Sequence, residues 1–321
     1  MNYRLFVLIS TLLFLVSCSK EVQNEESIVI SGKNLNSITH ISYNYLYADQ
    51  PPTRTYTTNY ALNNNKIDFL NSSVFHYWHD DPSKNYTYHT ESIFSYDVKN
   101  RLIKVDEEGY SDYDLNDKHF RTYEFDYYEN DKIKSLLNKD ANDVLFSKYS
   151  FVYQNNMIEE KYEYYDNGDM IFYNESIYQL DAKQRIYRQT SKGPFFENTD
   201  ENSITETTQE ASFNEENNVY QTFFNGSPST EFEYTDIKIP SDLPKINLPY
   251  LGYTPYNIIL AQFDGIVQSY NTNYMNNIIP LEPTNPYTTT YNNTLSKDNY
   301  PLRIEVLFND KIRSETTYMY K

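Results

Sequence analysis

Two pairs of side chains could hold a metal ion. His76 and His79 are separated by two residues, and imidazoles at that spacing can chelate zinc when both rings share a face. The residues around them alternate as in a strand, which sends the two rings to opposite faces. Asp112 and Asp114 open like a calcium loop, but Asp117 occupies the place of the required glycine. We favour a strand end with polar turn residues over a metal site, and no cofactor is predicted.

A row of aromatic residues could form a ligand-binding surface. Tyr149, Phe151 and Tyr153 alternate along one predicted strand, and Tyr162 and Tyr164 alternate along the next. Exposed tyrosine rings can bind sugars or peptides by stacking, and their hydroxyls add hydrogen bonds. Three glutamates stand close by in the sequence: Glu159, Glu160 and Glu163. This composition favours polar or cationic ligands, although tyrosine also fits a half-buried pleat that binds nothing.

The N-terminal residues predict export and lipidation. Residues 5–16 form an almost uncharged apolar run behind Arg4, which is the right length for a signal peptide and too short to span a bilayer. The run ends Leu15-Val16-Ser17-Cys18, which matches a lipobox, and Cys18 is the only cysteine. We therefore predict a signal peptide at 1–17, lipidation at Cys18 and an acidic tether at 18–27. An ordinary signal peptide with a chance cysteine is the alternative.

The net charge limits the kinds of partner that the chain can bind. The chain carries a formal charge of −18, and an acidic surface repels phosphate backbones, so nucleic acid is excluded as a partner. Aromatic residues make up 17% of the chain and supply ample surface to bury, so the chain is expected to fold. The predicted partners are the membrane, through the N-terminal lipid, and a glycan or a protein.

The elements that would position these residues are repeated β-hairpins. A polar turn followed by a basic and then an aliphatic residue occurs at Asn100-Arg101-Leu102, between two stretches that alternate with period two. Looser copies of this order recur every 25 to 35 residues or so, and Asn167-Gly168 is the strongest hairpin signal. The sequence predicts an all-β fold, an antiparallel meander of hairpins in an extended or curled sheet, spanning 28–321 as a single domain.

One segment breaks the alternation. Prolines are frequent near residues 237–286, and the residues between them lack a period of two. We expect an irregular insertion at 236–287, with a small irregular or short-helical cap over one face or end of the sheet.

The hairpin motif resembles a YD repeat, the unit of Rhs-type β-spiral proteins. Tyr96-Asp97, then Asn100-Arg101-Leu102 and a closing Gly109, follow the order of that repeat, with Asn100 where the family usually has glycine. With the lipobox, the degenerate hairpins are also similar to a family of uncharacterised Gram-negative outer-membrane lipoproteins with a domain of unknown function. The resemblance implies a repeat-built sheet and no particular activity.

These observations predict an outer-membrane lipoprotein, held by its lipid and facing either the cell surface or the periplasm. The expected role is a non-catalytic binding or structural module. The alternative is a secreted hydrolase that acts on polysaccharide or peptide at the cell surface, which would require a cleft with converging acids or histidines. Enzymatic activity is left open by the sequence, with the balance against it.

Overall fold

A computed structural model of the chain describes residues 35–45, 52–63, 66–78, 81–115, 118–183, 185–194, 204–213, 215, 219–238, 274–279, 289–298 and 300–320. It confirms the all-β fold, and its regular elements are eighteen strands and one 3-10 turn at Pro82–Lys84. The strands are β1 (Leu35–Asn44), β2 (Arg54–Asn63), β3 (Lys66–His76), β4 (Tyr86–Tyr96), β5 (Leu102–Ser111), β6 (His119–Tyr127), β7 (Ile133–Asp140), β8 (Leu145–Gln154), β9 (Met157–Asp166), β10 (Asp169–Leu180), β11 (Ile186–Pro194), β12 (Ile204–Phe213), β13 (Val219–Phe224), β14 (Ser227–Lys238), β15 (Tyr274–Ile279), β16 (Thr289–Leu295), β17 (Pro301–Phe308) and β18 (Lys311–Tyr320). Within these described ranges, no helix is long and apolar enough to cross a membrane.

All strands belong to one antiparallel sheet. Strands β1 to β15 pair in sequence order, β16 pairs with β17 and β17 with β18. The last strand then pairs with the first, through a register that sets Ile38 opposite Tyr318 and His40 opposite Thr316. Among the described residues no register joins β15 to β16, so these two strands are the two edges of the paired series.

Chain connectivity requires this sheet to curl. Laid flat, eighteen strands at about 4.8 Å spacing would separate the edges by roughly 80 Å. The connection from Ile279 to Thr289 contains only nine residues, and even a fully extended connection of this length reaches about 35 Å. The two edges therefore lie much closer together than a flat sheet allows.

Burial separates the two faces of the sheet. Residues that pair directly across strands share a face, and the buried residues Ile38, Tyr60, Leu70 and Ser92 form one such row. We call the face with the buried side chains the inner face. The outer face carries ion pairs along the strands, including Lys104 Nζ to Asp106 Oδ1 at 2.9 Å and others of similar length: Lys139–Glu124, Lys161–Glu163 and Arg303–Glu305.

The connections alternate between two ends of the sheet. The near end holds the start of β1, the end of β18 and the connections β2–β3, β4–β5, β6–β7, β8–β9, β10–β11, β12–β13, β14–β15 and β16–β17. The far end holds the remaining connections, from β1–β2 and β3–β4 to β17–β18.

The near-end turns explain the residue order seen in the sequence. Asp97 Oδ1 accepts hydrogen bonds from the backbone N–H groups of Lys99 and Arg101, and Arg101 Nε donates to Asp97 Oδ2 at 2.7 Å. Asn100 takes the left-handed conformation with φ 67°, which asparagine tolerates better than most residues. Asp181 and Arg185 make the same contacts in the β10–β11 turn.

The aliphatic residue after each turn belongs to the core. These residues are 0 to 6% exposed: Ile67, Leu102, Ile133, Ile158 and Ile186. In four of these five hairpins an extra residue follows as a β-bulge, because the partner strand advances one position while this strand advances two. The bulge returns the rest of the strand to the alternation that keeps its apolar side chains on the inner face.

Neighbouring hairpins are joined through the aromatic residue before each turn. The hydroxyl of Tyr96 donates to the backbone carbonyl of Ile67 at 2.9 Å, and Tyr127 donates to the carbonyl of Leu102 at 2.7 Å. In four of the near-end turns the basic residue lies over the aromatic ring of the next hairpin: Lys66 over Tyr96, Arg101 over Tyr127, Lys132 over Tyr153 and Arg185 over Phe213. Where it occurs, the repeated motif therefore holds one hairpin to the next.

The predicted irregular insertion is more regular than expected where it is described. β14 extends to Lys238, and β15 lies inside 236–287 and pairs with β14 through Phe232 opposite Ile278. Residues 239–273 and 280–288, including the expected cap, lie outside the described residues, as do the signal peptide, Cys18 and the tether.

Candidate functional site

The inner face changes character from the near end to the far end. The residues of the inner face beside the near end are mostly apolar, whereas buried polar side chains begin a few residues further along the strands: Thr58, Ser92, Asn138, Ser147, Glu160, Ser176 and Thr316. Ser296, in the near-end β16–β17 connection, is also buried. Burial of a polar side chain costs free energy unless it is hydrogen-bonded, so the inner face beyond the near end is where a site is expected.

Five aromatic side chains on β8, β9 and β10 form the inner aromatic cluster: Phe146, Tyr149, Tyr162, Tyr164 and Phe172. Tyr149 and Tyr162 are direct cross-strand partners with ring centroids 4.6 Å apart. Phe146 meets Tyr164 edge to face at 4.8 Å, and Phe172 meets Tyr162 at 6.0 Å. All five side chains are half-buried, so they pack against one another and still present surface.

Polar groups border the inner aromatic cluster. Tyr162 hydrogen-bonds with the buried Ser147, and burial raises the pKa of Tyr162. The guanidinium of Arg121 lies 4.8 Å from the centroid of the Phe146 ring. The side-chain oxygens of Asn138 and Asn174 are buried, and neither has a hydrogen-bond partner within the described residues. A donor that reached either oxygen would satisfy it and recover its desolvation cost.

A second polar group lies beside the cluster on β4, β5 and β6. The hydroxyl of Tyr88 hydrogen-bonds with the imidazole of His119, and the two rings stack 5.5 Å apart. Gly109 lies beneath them, and a Cβ there would meet the Tyr88 hydroxyl and come within 2.5 Å of His119 Nε2. Glu107 lies opposite Arg121 on the neighbouring strand, and burial raises the pKa of Glu107. Burial lowers the pKa of His119.

Among the described residues the most deeply buried acid is Glu160 on β9. It is 6% exposed, and its Oε2 accepts a 2.8 Å hydrogen bond from the hydroxyl of Tyr178, which is 1% exposed. Burial raises the pKa of Glu160 to about 7. With 6% of its surface exposed, Glu160 offers a substrate little access, and its carboxyl contacts Tyr178.

The structure brings together part of the predicted aromatic row. Tyr149, Tyr162 and Tyr164 belong to the inner aromatic cluster, and their ligand binding stays a prediction. Phe151, however, is 1% exposed and therefore has no surface to offer a ligand. Tyr153 packs against the core, and Lys132 Nζ lies 4.6 Å from the centroid of its ring. The row was expected to be exposed, but all of its members lie on the inner face of the sheet.

Two of the three neighbouring glutamates are on the other face. Glu159 accepts from Gln154 Nε2 at 2.8 Å, and Glu163 pairs with Lys161 at 2.8 Å, both on the outer face. A strand reverses its face at every residue, so Glu159 and Glu163 cannot act with Tyr162. Only Glu160 shares the inner face, and it is occupied by Tyr178.

The predicted metal ligands do not converge where they are described. His76 stacks on Tyr86 with centroids 4.4 Å apart, while Asp112 Oδ1 accepts from the backbone N–H of Thr87 at 2.6 Å. Asp114 lies in the β5–β6 connection, and His79 lies outside the described residues. Among the described residues no group of three histidines, cysteines or acids is close enough to hold a metal ion.

Sequence reasoning missed Phe146, Phe172 and Arg121. Phe146 occupies a bulge, where Asn138 pairs with Ser147 and Lys139 with Leu145, so simple alternation assigns it no face. Phe172 follows a second irregularity between Met170 and Phe172. The signal that could have found them is the aromatic content of both strands read together with the cross-strand register.

No protein-family profile matches the chain, and no curated protein matches it. Two solved structures show likeness: a porin-like protein from Bacteroides uniformis ATCC 8492 covers 89% of this chain and 98% of its own, at a TM-score of 0.43 and 14% identity. A porin-like protein from Bacteroides vulgatus ATCC 8482 covers 73% of this chain and 93% of its own, at a TM-score of 0.35 and 13% identity. These comparisons assign neither a family nor an activity.

Proposed function

We propose that the chain is an outer-membrane lipoprotein whose curled sheet is a non-catalytic module that binds a hydroxyl-rich ligand, such as a glycan. The observation that carries this proposal is the inner aromatic cluster. Stacked, half-buried rings offer flat apolar surfaces to the C–H faces of a sugar, and the phenol groups of Tyr149, Tyr162 and Tyr164 supply hydrogen bonds at the edge.

The contacts made by three ionisable groups with shifted pKa values favour binding over catalysis. Glu160 pairs with Tyr178, and His119 with Tyr88. His40 Nδ1 lies 2.9 Å from Thr316 Oγ1, and burial lowers the pKa of His40 to about 4. Each of these ionisable groups contacts a side chain on another strand and so helps to hold the sheet together. A hydrolase would instead keep such a group free to react.

The position of β1 supports one orientation of the anchor. The predicted tether leads from Cys18 to β1, which begins at the near end of the sheet. A diacylglycerol and an N-acyl chain on Cys18 would hold that end beside the membrane, because two or more hydrocarbon chains give lasting attachment. The far half of the inner face, with the inner aromatic cluster, then lies away from the lipid. We also retain the YD-like origin of the hairpins as a proposal.

The ligand proposal is tested with the mature chain carrying Cys18→Ser, which cannot be lipidated, on a panel of glycans. We expect at least one glycan to bind, and Tyr162→Ala to weaken that binding at least tenfold. The matched control is Tyr173→Ala, on the outer face of β10, which we expect to bind like the parent chain. Equal loss in both variants, or no binding across the panel, would contradict the proposal.

The anchor is tested separately by metabolic labelling with an alkyne fatty acid in the intact chain. Label is expected on the full chain and lost in Cys18→Ala, with the protein then released from the membrane fraction. Label that persists without Cys18 would show that the lipobox has been misinterpreted.

A further inference from the structure

The far end of the sheet exposes apolar side chains on successive connections. Four adjacent connections, from β3–β4 to β9–β10, together with the strand residues beside them, expose Phe75, Phe120 and the following six: Trp78, Tyr113, Leu115, Val144, Met170 and Ile171. The exposed fractions of the six range from 43% for Val144 to 79% for Tyr113. We call these six residues the far rim.

The far rim forms a continuous row along the sheet. Successive connections at one end are two strands apart, which is about 10 Å, so the four connections span roughly 30 Å. Single exposed apolar residues are ordinary, but a row of them on neighbouring connections is a feature of interaction surfaces.

The near-end connections expose fewer apolar side chains. The four connections β4–β5, β6–β7, β8–β9 and β10–β11 run through residues 97–101, 128–132, 155–156 and 181–185. Within the described residues of these connections one large apolar side chain is exposed, that of Val98, against four in the far-end connections themselves. The strand residues beside the near-end connections add three more: Ile103, Val152 and Tyr187. Exposed apolar side chains are therefore more frequent in the far-end connections than in the near-end turns.

The far rim has an acidic background. The described parts of 81–85, 111–118, 140–144 and 166–169 contain seven aspartates and two lysines: Asp81, Asp112, Asp114, Asp140, Asp143, Asp166, Asp169, Lys84 and Lys118. Lys118 pairs with Glu108 of β5, while Lys84 pairs with Asp81 and Lys139 of β7 pairs with Asp143, so described lysines neutralise two of the seven aspartates. The near-end connections hold five basic and four acidic residues over their described ranges, which leaves them almost neutral.

We propose that the far rim is a docking surface for a protein partner with a basic, apolar contact surface. Charge complementarity selects this partner: an apolar row within a surplus of carboxylates attracts lysine- and arginine-rich surfaces and repels anionic lipid. This surface is distinct from the inner aromatic cluster and does not depend on it. It also lies at the opposite end from the start of β1, so a near-end anchor would leave it accessible.

The test begins with the full-length chain in its native cells, with Tyr113 replaced by photo-reactive p-benzoylphenylalanine. We expect one discrete protein adduct on irradiation. The control places the same group at Tyr187 on the outer face near the other end, and we expect no such adduct. Adducts of equal intensity from both positions, or none from Tyr113, would overturn the proposal.

The captured protein is then purified and titrated against the intact chain. We expect the double variant Tyr113→Ser with Ile171→Ser to weaken binding at least tenfold, while Val98→Ser leaves it unchanged. Raising the salt from 50 to 500 mM should weaken binding severalfold, because screening shortens the reach of the rim charges. A partner with an acidic contact surface or salt-independent binding would contradict the proposal. So would rim-dependent binding to phosphatidylglycerol vesicles, which would indicate a lipid surface.

Discussion

Tyr178 and Glu160 form the only fully enclosed acid pair that we find in the described sheet, with the Tyr178 hydroxyl 2.8 Å from Glu160 Oε2. Both side chains are inward-facing residues of the long β9–β10 hairpin. Because burial disfavours the charged carboxylate, the pKa of Glu160 rises to about 7. The protonated acid still accepts the tyrosine hydrogen bond, so the pair survives neutralisation.

The first prediction concerns the pH dependence that this pair introduces. The folded pKa of about 7 exceeds the ordinary 4.5, so the folded state binds the proton more tightly. Between these two values stability falls as pH rises, by up to about 3 kcal/mol in total. Glu160→Gln stays neutral and escapes this fall. We expect the variant to gain stability relative to the parent chain as pH rises from 4.5 to 8, measured by urea unfolding.

Comparison with the variant is necessary because His40 acts in the opposite direction. Burial lowers the pKa of His40 from 6.5 to about 4, so its contribution to stability rises as pH increases through that interval. The two residues offset each other in the parent chain. A difference between Glu160→Gln and the parent that is independent of pH would refute the prediction.

The second prediction tests the contact between neighbouring hairpins. Tyr96→Phe keeps the ring under Lys66 and removes only the hydroxyl that donates to the Ile67 carbonyl. Loss of one partner from a sheltered hydrogen bond should lower the free energy of unfolding by about 1 to 2 kcal/mol. Tyr187→Phe is the control, since that hydroxyl bonds Gln179 on the exposed outer face. Equal effects in urea unfolding would show that the hydroxyl of Tyr96 has no special role.

The third prediction concerns Gly109. An added methyl group would collide with the Tyr88 hydroxyl and His119, so Gly109→Ala should cost about 1 to 3 kcal/mol. Displacement of His119 toward solvent should also move its pKa back up toward 6.5, which NMR titration can measure. Gly193→Ala is the milder comparison, since its Cβ would lie 3.2 Å from Asn174. An unchanged His119 titration would count against a tight contact.

The fourth prediction isolates backbone conformation in the β9–β10 turn. Gly168 has φ 91° and open space around it, so Gly168→Ala adds backbone strain without a steric clash. We expect a loss of about 1 kcal/mol in the free energy of unfolding. Asn167→Gly in the same turn is the control and should not destabilise, because glycine accepts φ 51° readily. If the two variants unfold alike, the turn does not demand its glycine.

The repeat motif made the fold predictable. Arg101 and Leu102 were recognisable from sequence because each has one fixed use: the arginine closes the Asp97 turn and the leucine enters the core. The Asn167-Gly168 hairpin was equally accessible, since its two positive φ angles require residues of this kind.

The candidate site was only partly predictable, for a physical reason. Alternation identifies two faces of a strand but not which one is buried. Tyr162 was therefore recognised from the sequence, but its face was expected to be exposed and is the inner face of the sheet. Bulges then shift the alternation, which hid Phe146 entirely. The far rim has no sequence signature, because exposed apolar residues gain their meaning only when topology gathers their connections at one end.

The pairing of the first strand with the last sets the order in which this protein can be completed. β1 pairs with β2 early, but its other edge has no partner until β18 has left the ribosome, more than 260 residues later. Until then the growing sheet carries an open strand edge, a template for mispairing with other chains. Truncations that remove β18 leave this edge of β1 open for good, and should therefore aggregate rather than shorten the sheet by one strand.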